Sequence, residues 1–425
     1  MYYSIFAGTN SLSELGMALK FLSTFRFKDK IVLDSFHSTI KEVISAKYAF
    51  SFGSGRMCLY IALKALGIGE GDEVILPAYT CIVVVNAIRY AGAKPVYVDI
   101  DPVSFNIDAS KIETAITNKT KAILAQHTFG LLCGVEAIRK IADKYKLKII
   151  EDSALAMGVE HKGVKVGSLG DIAYFSTDNS KVISSFCGGF VTTNDSQIGE
   201  QLQKLWGQTP WLGNFHYFRI GLSFILAYFL FDPRVYRWTR YLLRVFSKFR
   251  VMFYFRDELK LEKPKDYRYP SRMSSLQAGI AESQLLNLSK NIEHRQKIGM
   301  EAENFVGWLG GKLEKNASNH CFLRYSFLVP DREIFLKNFS SEYDLGIWFT
   351  SVLHGRHTDL ESVGYKRGTC PVAEDVARRI VNIPTHLRIP HEGVIAALKQ
   401  ALQKTETFVP LNSNDDERLV VRTLT

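Results

Sequence analysis

The chain has 425 residues, 47% of them apolar and 23% charged. That balance is globular and excludes disorder over most of the length; it allows two or three domains with a large core and no metal or disulfide staples. Lys+Arg against Asp+Glu gives 53 − 43 = +10, which points either to an anionic partner or to a mildly basic surface. Cys58, Cys81, Cys133, Cys187, Cys321 and Cys370 include no CxxC pair, so no zinc site is expected. Their spread through apolar runs predicts reduced, buried thiols of a cytosolic protein. There is no basic n-region followed by an apolar segment, so no signal peptide is read. No apolar run approaches the roughly 20 residues of a membrane span.

In chain order, residues 1–50 read as a mostly helical lead-in. Residues 51–207 then alternate the two periodicities. Ser54 to Leu66 is helical, Glu73 to Leu76 a strand after a glycine-rich turn, and Thr80 to Ala91 a helix. Pro95 to Val98 and Ala122 to Ala125 are strands, Glu136 to Tyr145 a helix, and Lys148 to Ile150 a buried strand ending in Glu151-Asp152. Strands separated by such helices predict an α/β domain: a mainly parallel sheet with helices on both faces, which the family resemblance given below implies to be of the seven-stranded type. Its ligand is expected beyond the carboxyl ends of the strands, where Asp152 lies. Residues 208–258 are an aromatic and basic insertion. Residues 259–411 read as a smaller α+β domain, with a helix from Ser274, a strand Phe322–Leu328, and helices near 331–340, 372–380 and 391–403. The polar end, 412–425, is expected to fray.

Three features stand out chemically. Phe52-Gly-Ser-Gly-Arg56 opens a helix, and a small-residue turn there offers backbone N–H groups and the positive dipole end to an anion; a plain N-cap at Ser54 is the simpler alternative. Asp152 ends an apolar strand, as a turn cap also does. Ser176 is followed by Lys181 in a polar loop, where a lysine is ordinarily solvated.

The order and spacing of these features resemble a fold-type I pyridoxal-phosphate enzyme, and more closely the DegT/DnrJ/StrS sugar aminotransferase family. The matching stretches are Gly67-x-Gly-x-Gly-Asp-Glu-Val-Ile-Leu-Pro77, Ala91 to Asp101, Glu151-Asp-Ser-Ala154, Gly167-Ser-Leu-Gly-Asp171, Phe175-Ser176 with Lys181, and Gly188 to Asp195. Arg272-Met-Ser-x-x-Gln-Ala278, Pro371-Val-Ala-Glu374 and Ile383-Pro384 follow. The resemblance implies a pyridoxal 5'-phosphate cofactor bonded through its aldehyde to Lys181, which then relays a proton. It implies a ring nitrogen paired with Asp152 and a phosphate held by Ser54, Gly55, Arg56 and Ser176, with Thr80 and Ser153 as further contacts. Related sugar dehydratases carry histidine where Lys181 stands, so amino transfer is expected. The implied reaction moves an amino group, with glutamate as donor, to a keto group of a nucleotide-activated sugar in polysaccharide or glycoconjugate synthesis; the aromatic and basic insertion adds a related, lipid-linked ketone as a variant of it. A homodimer with sites at the subunit interface is implied as well.

The chain departs from the family pattern at several positions. Arg56 replaces a threonine, Cys81 the aromatic that stacks on the cofactor ring, Leu155 a glutamine, Asp178 a histidine, and Pro270 an asparagine supplied by the partner subunit. The sugar-shaping loop is not recognisable in residues 20–40; Tyr79 is a candidate replacement for the stacking ring. These changes leave open a non-catalytic protein that binds the cofactor, or a scaffold of a membrane-associated complex.

Residues 215–256 hold a single acid, Asp232. Ile220–Phe231 is a twelve-residue apolar run, too short to span. After Asp232-Pro233 a helix is predicted over Arg234–Arg250, with Val235, Trp238, Leu242, Val245 and Phe249 on one stripe. Arg234, Arg237, Arg240, Arg244 and Lys248 lie on the other side. Such a helix suits an anionic membrane surface, placing the protein on the cytoplasmic face; packing within the protein or its dimer is the alternative. No nucleic-acid module accompanies it.

Overall fold

The computed structural model describes residues 1–6, 8–248, 252–253, 262–306, 319–356 and 359–406. Phe249 and Arg250 of the predicted basic helix, and the tail expected over 412–425, lie outside the described residues.

Seven strands build the central sheet: β1 (Tyr48–Phe52), β2 (Glu73–Pro77), β3 (Lys94–Val98), β4 (Thr120–Gln126), β5 (Lys148–Asp152), β6 (Ile172–Ser176) and β7 (Gly189–Thr193). Their order is β1-β7-β6-β5-β4-β2-β3. Only β7 runs against the rest, pairing antiparallel with both β1 and β6. The interior strands are nearly all buried, as a sheet covered on both faces requires. Alternation assigns the faces. Ile75, Ile123 and Ile149 pack with Ile138 and Ile141 of helix α5 (Val135–Tyr145). Val74, Leu124 and Ile150 belong to the main core with helices α3 (Gly55–Ala65) and α4 (Ile82–Ala91).

The lead-in is two helices, α1 (Leu12–Thr24) and α2 (Lys30–Ile44). A capping box at Ser11 and an Asp29 cap start them. The aromatic and basic stretch follows α6 (Ser196–Gln208) and opens with α7 (Asn214–Leu230). The apolar run within α7 is used internally. Tyr217, Ile220, Phe224 and Ala227 are buried. A Cβ added at Gly221 would lie 2.8 Å from both Leu22 and Leu276, so the absence of a side chain permits this close packing.

Helix α8 (Tyr236–Lys248) corrects the sequence reading of faces. The side turned to the protein carries Tyr236, Leu243 and Phe246, while Val235, Trp238, Leu242 and Val245 are exposed. Two tyrosine hydroxyls fix this: Tyr236 and Tyr2 both donate to Asp344, at 2.7 and 2.8 Å. Arg240 lies over the Tyr2 ring, toward the protein rather than opposite the stripe. Among the described residues no helix is long and apolar enough to cross a membrane.

The C-terminal part follows helix α9 (Ser275–Leu286), whose Ser274 caps through a capping box with Gln277. It contains α10 (Leu288–Val306), strand β8 (Arg324–Leu328), α11 (Arg332–Asn338), α12 (Pro371–Arg379), strand β9 (Ile380–Pro384) and α13 (His391–Glu406). β8 and β9 pair antiparallel. Leu353–His354 pairs with Thr80–Cys81, which ties this part to the end of β2. That pairing also delays α4: residues 80 and 81, read as helical, are extended.

Candidate active site

A cavity of about 700 Å³ opens at the carboxyl ends of β5 and β6. Ser54, Gly55, Arg56, Asp152, Ser176 and Lys181 all line it. One end is the start of α3. Ser54 is extended (φ −164°) and accepts the Met57 N–H at 3.4 Å, so the cap reading of this serine holds alongside the site. Helical geometry gives the first-turn N–H groups no intrahelical acceptor, and the dipole adds partial positive charge there. A Cβ on Gly55 would stand 2.7 Å from Ser176 Cβ, so helix and strand approach as closely as glycine permits. Ser176 Oγ accepts the Asp178 N–H at 3.3 Å.

Asp152 ends β5 beneath the cavity and accepts the Ala154 N–H at 3.1 Å. Burial pushes its carboxyl up, while Tyr174, Lys181 and His127 favour the charge. The buried Tyr174 hydroxyl lies beside the Asp152 carboxyl. Lys181 sits in the β6–β7 loop, its N–H bonded to the Asp178 carbonyl at 3.0 Å. Burial lowers its amine pKa; Asp178, Cys81 and Asp152 oppose the shift.

Sequence reasoning missed part of the lining. Tyr174 was findable: two residues before Ser176 on one strand, it shares that face. Gln126 lies next to Thr80, whose hydroxyl donates to Gln126 Oε1 at 2.6 Å. Phe6, Trp348, Phe349 and His354 close the cavity from distant parts of the chain, and no local signal marks them. Ser153 does not line the cavity; its hydroxyl is buried without a partner. Tyr79 does not replace the stacking ring. Its hydroxyl accepts the Phe349 N–H at 2.7 Å and its ring packs on Phe349 and Phe129, away from the cavity. Cys81, Leu155 and Asp178 line the cavity, whereas Pro270 does not.

These residues fit pyridoxal phosphate. A glycine-tight anion cradle, a buried acid with a tyrosine hydroxyl beside it, and an amine share one cavity of ligand size. Fold and site together define a fold-type I transferase of the pyridoxal-phosphate class.

The profile of the DegT/DnrJ/EryC1/StrS aminotransferase family matches residues 23–214 and 239–399. The GDP-perosamine synthase of Caulobacter vibrioides is 31% identical over 379 residues, 86% of this chain and 89% of that protein. The dTDP-3-amino-3,6-dideoxy-alpha-D-galactopyranose transaminase of Aneurinibacillus thermoaerophilus is 43% identical over 176 residues, 41% of this chain and 48% of that one. The crystal structure of NtdA from Bacillus subtilis with bound cofactor PMP superposes with TM-score 0.67 at 22% identity, covering 92% and 83% of the two chains. The chain belongs to the DegT/DnrJ/EryC1/StrS aminotransferase family. It is a pyridoxal-phosphate-dependent aminotransferase.

Proposed function

We propose that this enzyme moves an amino group, with glutamate as donor, to the keto group of a nucleotide-activated sugar. The observation that carries the reading is the meeting of Lys181, Asp152 and Ser176 in one cavity with the start of α3. The GDP- and dTDP-sugar names of the relatives support the acceptor class. When bound, pyridoxal phosphate supplies an aldehyde that takes up amino groups and a ring that draws electrons from the adjoining carbon. Ser54, Gly55, Arg56 and Ser176 bind the phosphate through hydroxyls and first-turn N–H groups. Asp152, ionised and buried, holds a proton on the ring nitrogen, and that cation offsets the cost of burying the carboxylate. Lys181 Nζ moves the proton at the substrate carbon; its lowered pKa brings the neutral base closer to working pH. Phe6, Trp348 and Phe349 exclude water. A cofactor-binding scaffold without turnover is not favoured, because the amine and the acid both face the cavity. The test is the absorbance of the bound cofactor on adding glutamate: conversion to the amine form supports the enzyme, and an unchanged band rejects it.

The reading extends to a homodimer, to glycoconjugate synthesis and to a cytoplasmic protein that touches anionic membrane through residues 215–256. The exposed stripe of α8 supports the last point. Trp238 is 74% exposed, Leu242 and Val245 lie beside it, Arg237 is exposed on the same helix and Arg234 just before it. Replacing Trp238 and Leu242 together by serine is expected to weaken sedimentation with anionic vesicles at least about tenfold. Equal binding rejects the membrane assignment.

A further inference from the structure

Strands β5 and β6 run parallel, with Asp152 opposite Tyr174 in the register. Side chains alternate between the faces of a sheet, and register partners of parallel neighbours share a face. Carboxyl and phenol therefore stand side by side. Asp152 is 4% exposed and Tyr174 3%, and both line the main cavity. The backbone fixes their level: the Ser153 N–H donates to the Tyr174 carbonyl at 3.0 Å. The sheet itself, and not a loop, holds the phenol against the acid.

A buried phenol needs an acceptor, and one left unmade costs stability that a phenylalanine would not lose. The groups that act on this hydroxyl are the Asp152 carboxylate and the thiols of Cys81 and Cys58. Thiols accept weakly, whereas a carboxylate accepts strongly. Burial and the adjacent carboxylate push the phenol's pKa well up, so it keeps a proton to donate. Asp152 has acceptor sites to spare, since the Ala154 N–H takes only Oδ1. Lys181, in the β6–β7 loop, and His127, just after β4, also favour its charge. Asp152 shares one proton with the ring nitrogen of a bound pyridoxal phosphate. A hydrogen bond to the carboxylate lowers its affinity for that proton and leaves the proton on the ring.

We propose that the Tyr174 hydroxyl donates to the Asp152 carboxylate and thereby keeps the shared proton on the ring nitrogen of the bound cofactor. Tyr174 is a positioning residue that acts through Asp152. The cationic ring is the form that draws electrons from the substrate carbon. Without the phenol, burial moves the proton toward the carboxyl, because a neutral acid beside a neutral ring is the favoured pair in a desolvated site. This inference rests on the aminotransferase reading.

The test compares holoenzymes of wild type, Tyr174→Phe, Asp152→Asn and the double variant, each loaded with pyridoxal phosphate isotopically labelled at its ring nitrogen. Phenylalanine keeps the ring and its packing. Nuclear magnetic resonance of the labelled nitrogen reads its protonation without turnover. Wild type is expected to show a protonated ring, Tyr174→Phe a signal moved toward neutral pyridine, and Asp152→Asn a larger move. In the double variant Tyr174→Phe adds nothing, because the carboxylate through which the phenol acts is gone. Stopped-flow absorbance with glutamate is the second reading. Tyr174→Phe is expected to slow the step roughly 10- to 100-fold while half-saturating glutamate changes less than about threefold. A tyrosine that only fills space predicts a lower thermal midpoint with an unmoved ring signal, and that result overturns the proposal. So does a loss of rate from Tyr174→Phe that is as large in the Asp152→Asn background as in wild type. If wild type does not react with glutamate, the aminotransferase reading fails. The ring signal then still decides: a move in Tyr174→Phe supports the pairing, and an unmoved signal overturns it.

Discussion

Replacing Gly55 with alanine tests the phosphate cradle with one methyl group. The added Cβ would lie 2.7 Å from Ser176 Cβ, 3.1 Å from its Oγ and 3.3 Å from its Cα. Carbon contacts settle at about 3.5–4.0 Å, so helix α3 and strand β6 must part by about 0.8 Å (3.5 − 2.7). The obstructing atoms sit on or next to the backbone, so no flexible side-chain end can swing clear. Overpacking of this kind costs about 1–3 kcal/mol, and alanine's helix preference over glycine returns up to about 1 kcal/mol. The net loss of fold stability is small, about 0–2 kcal/mol. The parted walls, however, are the two that hold the phosphate. Losing one charge-assisted hydrogen bond costs about 1.5–3 kcal/mol, which weakens the cofactor roughly 10- to 150-fold. Titration of apoenzyme with pyridoxal phosphate, followed by absorbance, measures this. Gly16→Ala is the control: nothing lies within 4 Å of its added Cβ on exposed α1. It should raise stability by about 0.5–1 kcal/mol and leave cofactor affinity alone. Wild-type cofactor affinity in Gly55→Ala would refute the cradle.

Three further outcomes are expected. Lys181→Ala should fold and bind cofactor but lose the glutamate-driven change in absorbance; turnover at even a tenth of the wild-type rate contradicts its role. Asp152→Asn should slow the same step at least about a hundredfold while the phosphate site still holds the cofactor, seen in stopped-flow absorbance. Burial holds His37 neutral, its pKa pushed down to about 4, with Ser51 N–H donating to Nε2 at 3.0 Å. The unfolded chain takes up that proton near 6.5, so the stabilisation is complete above pH 6.5 and is lost as pH falls toward 4. Its size is (6.5 − 4) × 1.4, about 3–4 kcal/mol. Urea unfolding of His37→Gln should lack this part of the acid slope; parallel slopes count against it.

What was legible in the sequence is what local pattern determines. Lys148–Ile150 and Glu73–Leu76 are continuous apolar runs because a covered parallel sheet buries both faces, and Asp152 stands out as the acid where such a run stops. Ser54 is legible as a cap, and Ser176 by its spacing from Lys181. Distant contacts hid the rest. Thr80 and Cys81 read as helix but pair with Leu353 and His354, some 270 residues further on. The stripe on α8 is visible, yet its direction is set by Tyr2 and Asp344, 342 residues apart in the chain. Arg324 falls inside the predicted strand Phe322–Leu328 with nothing to mark it, and only the fold brings it against Trp348 and beside Lys181.

The central claim is a bond between one lysine and the cofactor aldehyde. Borohydride reduction of the holoenzyme, followed by peptide mass mapping, tests it most directly. The account predicts a reduced pyridoxyl adduct on the peptide that contains Lys181, and none in Lys181→Ala. An adduct on another lysine, or a chain that takes up no label, would contradict it.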